Sequence, residues 1–323
     1  MKLANIKWTD TTERNKSMQE FGRNFIDNLP QHISAIQIPD SKPSDSFGTS
    51  PRSMQIYGIY DIQTAMREVL HHPTTRQAEI QAENAFRAFL EKDCVDAGLL
   101  KFFNGWYETH KTTSLISAKI IMRLAGNAAS SPPDQQMGHN KTMAHMYEVA
   151  KDDFGLGHKG HDGMYIHMAT AFGAESWVEY KYKVEECDQF SAFLYDIGVA
   201  EHKAPLNSSA HNESILKAMM ISVASETWNG REFNFMAQHI EKKLLSVNPS
   251  LANDSTRMRN AKGYVIGHAG DVENKHGLHA LAAAQIFART RGIEITSRHL
   301  QEVLLDYNER VGRAFGALHK SLM

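Results

Sequence analysis

The chain has 323 residues, a formal net charge of −2 and a pI near 6.8. This balance excludes the excess of positive charge typical of proteins whose main partner is nucleic acid or an anionic membrane surface. The two cysteines are too few for a disulfide framework or a thiolate metal cluster, whereas the 17 histidines are about twice the number that average composition supplies.

The start of the sequence gives no sign of export. Residues 1–7 contain no apolar run of the kind that a secretory signal needs. No stretch approaches the roughly 18 uninterrupted apolar residues of a membrane helix. With so few cysteines, we expect a protein of the reducing cytoplasm, with neither membrane nor nucleic acid among its partners.

In chain order, two regions differ in character. Residues 1–55 are polar and contain a run rich in Pro and Ser at 39–48, which predicts an N-terminal extension and linker with one short helix near 13–29. Residues 56–323 predict one all-α bundle domain of about seven to nine helices, because helix-length segments follow one another and strand-like alternation is nearly absent. The predicted helices cover residues 61–71, 75–92, 99–124, 137–154, 161–172, 174–195, 209–245, 262–291 and 297–322.

Potential metal ligands are concentrated in the predicted helix at 262–291. His268, Glu273 and His276 lie there together with Asp271 and His279, and an apolar run follows. Glu273 and His276 form Glu-x-x-His, which places a carboxylate and an imidazole on one helical face. Oxygen and neutral nitrogen ligands together suit iron or manganese better than structural zinc. The segment therefore predicts a metal site in the core of the bundle.

Helix geometry restricts which of these residues can act together. On a regular helix Glu273 lies about 140° from His268 around the axis, and His276 about 80°. All three share a face only if a π-bulge absorbs one residue between His268 and Glu273; otherwise the ligand set is smaller. We keep open whether His279 or Asp271 takes the place of His268. The competing interpretation is a solvated helix face with incidental histidines.

This segment resembles the ligand motif of the haem-oxygenase-like diiron oxidases and oxygenases, which has the form Tyr-x-x-x-His-x-x-x-Asp-x-x-His. Tyr264 and His268 match its start. Glu273 and His276 match its end, displaced by one residue and with Glu in place of Asp. The resemblance covers roughly residues 75–320 and implies a haem-oxygenase-like helical bundle.

The same resemblance implies ligands from three other places. An acidic pair with glycine, a turn and a histidine that opens the next helix correspond to Asp153 and His161. Helix phase leaves Asp152 and Glu148 as alternatives to Asp153. Glu226 corresponds to a glutamate of the family's middle helix. The implied metal ligands are Asp153, His161, Glu226, His268, Glu273 and His276.

Other polar residues of the helical region receive no role in the site. Glu232 and His239 lie on the same predicted helix as Glu226, and we place them on a solvent-facing side. Oxygenases of the family often bring one more carboxylate from the helix preceding Asp153. Glu108 is the nearest acid to that position, so this ligand is left open.

The resemblance implies a non-haem iron enzyme that uses O₂, with Fe(II) as cofactor, one or two per chain. The substrate would be small and amino-acid-like or fatty-acid-like, and the reaction N-oxygenation, desaturation or oxidative C–C cleavage. An external electron donor and a homodimer are further possible partners. Two alternatives stand beside this: a same-fold enzyme without diiron, either haem-binding or in cofactor biosynthesis, and a non-enzymatic helical interaction protein.

Overall fold

The computed structural model describes residues 15–38, 52–54, 56–155 and 160–323. Over these ranges the chain is all-α, apart from an antiparallel pair of two-residue strands at Gln37–Ile38 and Arg52–Ser53. No helix in the described ranges combines the length and apolarity needed to cross a membrane. The α-helices are α1 Met18–Asp27, α2 Leu29–Ala35, α3 Ile59–His71, α4 Pro73–Glu91, α5 Ala97–His110, α6 Thr113–Ala129, α7 Pro133–Phe154, α8 Gly160–Ala171, α9 Glu185–Gly198, α10 Ser209–Ala237, α11 Ile240–Val247, α12 Ser255–His268, α13 Val272–Arg291 and α14 Ser297–Leu322.

Helix α10 forms the centre of the bundle. Its residues 218–233 are all buried, on every face of the helix. Helices α13, α14, α12, α6, α9 and α1 pack around it. A helix that is buried all round must satisfy its polar side chains internally, so the polar residues in its middle are the first candidates for function.

The predicted short helix near the N-terminus is present as α1. Ser17 and Glu20 form a capping box at its start, in which each side chain accepts a hydrogen bond from the other residue's backbone N–H. Phe25 and Ile26 are buried, and α1 packs against α10 and α3. The predicted linker run at 39–48 lies outside the described residues, and the predicted division of the chain at residue 55 stays a prediction.

The described part of the chain contains more α-helices than the seven to nine predicted, because several predicted helices are divided. The predicted helix at 99–124 ends as α5 and restarts as α6 around Thr112. This break carries no glycine or proline; instead the Thr112 hydroxyl lies 3.1 Å from Ser191 Oγ of α9, and the Thr113 hydroxyl lies 3.2 Å from Ser225 Oγ of α10. Tertiary hydrogen bonds of this kind override helix propensity and leave no local signal. By contrast, the predicted helix at 297–322 coincides with α14.

A close approach between α4 and α14 leads to a stability prediction. A Cβ placed on Gly312 of α14 would lie 2.7 Å from the Cβ and 2.8 Å from the Cα of Ala78 on α4. We expect Gly312→Ala to lower the free energy of unfolding by about 1–3 kcal/mol, because the two backbones must separate. Gly316→Ala, one turn later, is the matched control, since its Cβ meets only the flexible end of Gln81 at 3.3 Å. Equal urea midpoints for the two variants would contradict the close approach.

Candidate metal centre

The predicted helix at 262–291 is interrupted where the ligand residues lie. Helix α12 ends at His268, Gly270 takes a left-handed φ of 75°, and α13 begins before Glu273. The Asn234 side chain of α10 fixes this turn: it donates to the Gly270 carbonyl and accepts from the Gly270 N–H, each at 2.9 Å. This turn between α12 and α13 takes the place of the predicted π-bulge. Because His268 lies on α12 and the other two residues lie on α13, its direction is not fixed by their helix, and all three side chains can point into the core of the bundle.

Glu226, Glu273 and His276 form a buried group at the contact between α10 and α13. One ligand atom from each lies within 4.8 Å of the other two. His276 Nδ1 is 3.5 Å from Glu273 Oε2 and 3.8 Å from Glu226 Oε2. Glu226 Oε1 is buried and has no hydrogen-bond partner among the described residues. This Glu–Glu–His group can bind one metal ion.

The remaining predicted ligands meet beside this group. Asp153 comes from the end of α7, His161 from the start of α8 and His268 from the end of α12. His268 Nε2 lies 3.8 Å from Asp153 Oδ1, and the rings of His161 and His268 are 5.1 Å apart between centroids. The charges of Asp153 and His268 act on the pKa values of Glu226 and Glu273, so the six predicted ligand residues lie near one another, and they are hereafter called the ligand cluster. Whether each binds metal stays a prediction. The ligand cluster consists of Asp153, His161, Glu226, His268, Glu273 and His276.

Hydrogen bonds orient two of the imidazoles. His268 Nδ1 lies 2.5 Å from the Tyr264 carbonyl, to which it donates, so Nε2 is the nitrogen that faces Asp153. His276 Nε2 lies 3.3 Å from Asp152 Oδ2, so Nδ1 faces the glutamate pair. A histidine that binds metal usually donates its other ring N–H to a carboxylate or a carbonyl. Both rings have this arrangement.

The alternatives left open by the sequence lie outside the ligand cluster. Asp152 is half exposed and contacts the far side of the His276 ring. Glu148 forms an ion pair with a lysine one turn away on its own helix. The Asp271 side chain is 79% exposed. His279 is buried but pairs with His145, with their Nδ1 atoms 2.9 Å apart.

The environment shifts the pKa values of Glu226, Glu273 and His276 in different directions. Burial, followed by the charge of Glu273, raises the pKa of Glu226 well above its usual range. Burial also acts to raise the pKa of Glu273, but hydrogen bonds with His276 and Glu226 outweigh it and lower that pKa. Burial acts to lower the pKa of His276, yet hydrogen bonds with Asp152 and Glu273 raise it to about 10. In the metal-free group these shifts favour the neutral form of Glu226, and they keep His276 protonated near pH 7.

A proton count follows from these shifts. A metal ion binds only the deprotonated carboxylate and the neutral imidazole, so we expect metal binding at pH 7 to release at least about one proton, that of His276. Because His276 stays protonated up to a pKa of about 10, the affinity should rise with pH throughout the range below that value. Titration calorimetry with Mn(II) in two buffers of different ionisation enthalpy measures the number released. No release at pH 7 would contradict the proton placement.

The prediction that Glu232 and His239 face solvent is wrong. Glu232 is fully buried and accepts hydrogen bonds from the indole N–H groups of Trp106 and Trp228, at 2.5 Å and 2.7 Å. Its Oε1 is also 3.2 Å from His110 Nε2. His239 is buried as well. The available signal was the spacing of Trp228 and Glu232, one helical turn apart on α10, which lets an indole donate to a carboxylate.

A cleft of about 780 Å³ leads to the ligand cluster. Asp153 and His161 line it, and its walls come from the end of α5, the start of α6 and one face of α9. The α9 face presents residues at helical spacing, among them Asp188, Tyr195 and Asp196. The cleft gives a small molecule access to one side of the ligand cluster. The sequence did not predict it, because its walls come from segments distant along the chain.

Comparisons with protein family models, with curated proteins and with solved structures gave no match. The fold and the site define the class by themselves: an all-α protein with a buried Glu–Glu–His group that can bind a metal ion. The haem-oxygenase-like arrangement of the helices, the identity of the metal and the number of ions stay predictions.

Proposed function

We propose that this chain is a non-haem iron-dependent oxidase or oxygenase that uses O₂ to act on a small molecule in the cleft. One observation carries the proposal: the ligand cluster has three carboxylates and three imidazoles, and two of its members, Asp153 and His161, line the cleft. This donor set suits iron better than structural zinc. The Glu226, Glu273 and His276 group accounts for one ion, and the adjoining Asp153, His161 and His268 for a second.

The burial and charge of the ligand cluster favour the binding of a cation. Glu226 and Glu273 are both almost fully buried and close together. Burying a carboxylate is costly unless it is paired, and Glu226 Oε1 lacks a hydrogen-bond partner among the described residues. A divalent ion would pair with both carboxylates and satisfy the Glu226 Oε1 acceptor. When bound, Fe(II) supplies the site at which O₂ is activated.

The residues around the ligand cluster keep water out and hold the imidazoles in place. The Phe233 ring stacks on the His268 ring, with centroids 4.8 Å apart and planes 25° apart. The Tyr264 ring lies edge-on to His161 at 4.8 Å and is fully buried. A site closed by aromatic rings on the protein side and open on the cleft side admits substrate while limiting solvent.

The proposal is tested by O₂ consumption. Protein purified without metal is loaded anaerobically with Fe(II) and mixed with O₂, ascorbate as electron donor, and a panel of amino acids and fatty acids. We expect O₂ consumption that requires iron and is lost in His276→Ala. Asp271→Asn, at an exposed acid near the start of α13, is the control that should match the wild type. O₂ consumption that is the same with and without iron would contradict the proposal, and a Soret band in the purified protein would favour the haem-binding alternative.

A further inference from the structure

We infer that the cleft selects a substrate with a positively charged ammonium group and rejects one whose only charge is a carboxylate. This deepens the proposed function, because it chooses between amine-bearing and fatty-acid-like substrates for the same site. The inference rests on the charges of the described cleft wall and on how those charges are already paired.

The described lining of the cleft carries more carboxylates than ammonium groups. Its two cations are Lys111 and Lys183, and no arginine lines it. Five carboxylates line the same space. They are Glu108, Asp153, Asp162, Asp188 and Asp196. A cleft lined by one sign of charge concentrates ligands of the opposite sign.

Both cations are already engaged. Lys111 Nζ lies 2.6 Å from Glu108 Oε2, and Lys183 Nζ lies 3.2 Å from Asp188 Oδ2. A substrate carboxylate that enters the cleft would therefore share an ammonium group with an acid that already neutralises its charge. The surplus acids would also repel it. The described wall thus offers no independent site for a fatty-acid headgroup.

Three acids retain acceptor capacity for a cation. Asp153 belongs to the ligand cluster, and Asp162 accepts a hydrogen bond from the Tyr107 hydroxyl at 3.1 Å. Asp196, on the α9 face, has no ion pair among the described residues. An ammonium group, with three N–H donors, can satisfy acceptors of this kind.

The positions of the acids suggest how the substrate lies. Asp162 follows His161 directly and has a largely exposed side chain, whereas Asp188 and Asp196 are about 12 Å apart along the axis of α9. Leu115, Ala192 and Tyr195 provide apolar surface in the same lining. An alkyl chain that carries an ammonium group can contact this apolar surface while its charged end is bound by an aspartate.

The test uses metal-free protein, so that it does not depend on iron or turnover. Calorimetry compares n-hexylamine, protonated at pH 7, with hexanoate, which has the same chain length and the opposite charge. We expect hexylammonium to bind at least about tenfold more tightly, with the difference shrinking as salt is added. Equal affinities, tighter binding of hexanoate, or no binding of either probe at millimolar concentration would each overturn the inference.

Variants locate the selectivity in the cleft. Asp196→Asn should weaken hexylammonium binding by about two- to fivefold, the range for one exposed charge pair. Asp196→Lys should reduce or reverse the preference between the two probes. Glu294→Gln, at an exposed acid between α13 and α14, removes the same charge outside the cleft lining and should leave binding unchanged. Equal loss in Asp196→Asn and Glu294→Gln would show only an effect of net charge and would overturn the assignment of the cleft.

The two proposals fail separately. Ammonium selectivity in metal-free protein that shows no iron-dependent O₂ consumption would retain the cleft inference and reject the proposed function. Iron-dependent O₂ consumption with no preference between the probes would retain the function and reject the inference.

Discussion

Glu226→Gln is expected to weaken metal binding by on the order of a hundredfold or more, because even outer partners of metal ligands contribute about 10–100-fold. Glu226 provides a carboxylate from α10 to a group whose other members come from α13. The amide keeps the shape of the side chain but cannot carry the negative charge that a divalent ion requires. Fluorescence or calorimetric titration of metal-free protein with Mn(II) measures the loss.

The same variant separates metal binding from folding. Burial and the neighbouring Glu273 raise the pKa of Glu226, which favours the neutral form of the wild-type side chain in metal-free protein. Glu226→Gln should therefore leave the midpoint of thermal unfolding of the metal-free protein unchanged or slightly raised. It should abolish the increase that the metal produces, since ligands stabilise only the state they bind. Asp271→Asn is the matched control; wild-type affinity in Glu226→Gln would exclude Glu226 as a ligand.

Glu232→Ala is expected to lower the free energy of unfolding by about 3–5 kcal/mol, the cost of removing one partner from a buried charged pair. Glu232 is fully buried and contacts three donors, on Trp106, Trp228 and His110. Truncation leaves two indole N–H groups and an imidazole without their acceptor inside the bundle. Urea unfolding followed by circular dichroism measures the change.

Two further variants make this result interpretable. Glu309→Ala, at an exposed position on α14, should change the free energy of unfolding by less than about 0.5 kcal/mol. Glu232→Gln retains one acceptor oxygen but places an amide N–H beside a donor, so its destabilisation should lie between the other two. If Glu232→Ala and Glu309→Ala unfold at the same urea concentration, the buried network is not a stabilising element.

The sequence predicted the residues of the buried Glu226, Glu273 and His276 group but not how the chain assembles the site around it. Glu273 and His276 are found by their spacing, because (i, i+3) residues on a helix share a face. The approach of His268 to them depends on the break at Gly270 and on the Asn234 side chain that fixes it from α10. A hydrogen bond across 36 residues leaves no periodic signal, so local geometry alone predicted a bulge instead.

The fold was predictable in class and less so in its helix boundaries. Long helices with regular apolar spacing are predicted best, and the helix predicted at 297–322 has the bounds of α14. The solvent-facing side predicted for α10 was wrong because the middle of this helix is buried on every side. In such a helix, the position of a polar residue around the axis does not indicate whether it is exposed. The surplus of acids in the cleft was also hidden, since Glu108, Asp162 and Asp196 come together only after α5, α8 and α9 pack.

The most direct test of the metal centre is an anaerobic titration of metal-free protein with Fe(II), with bound iron counted after equilibrium dialysis. We expect up to about two irons per chain for the wild type. His268→Ala, Glu273→Ala and His276→Ala should each lower that number, whereas Asp271→Asn should not. Unchanged iron stoichiometry in all three ligand variants would contradict a metal centre built by these residues.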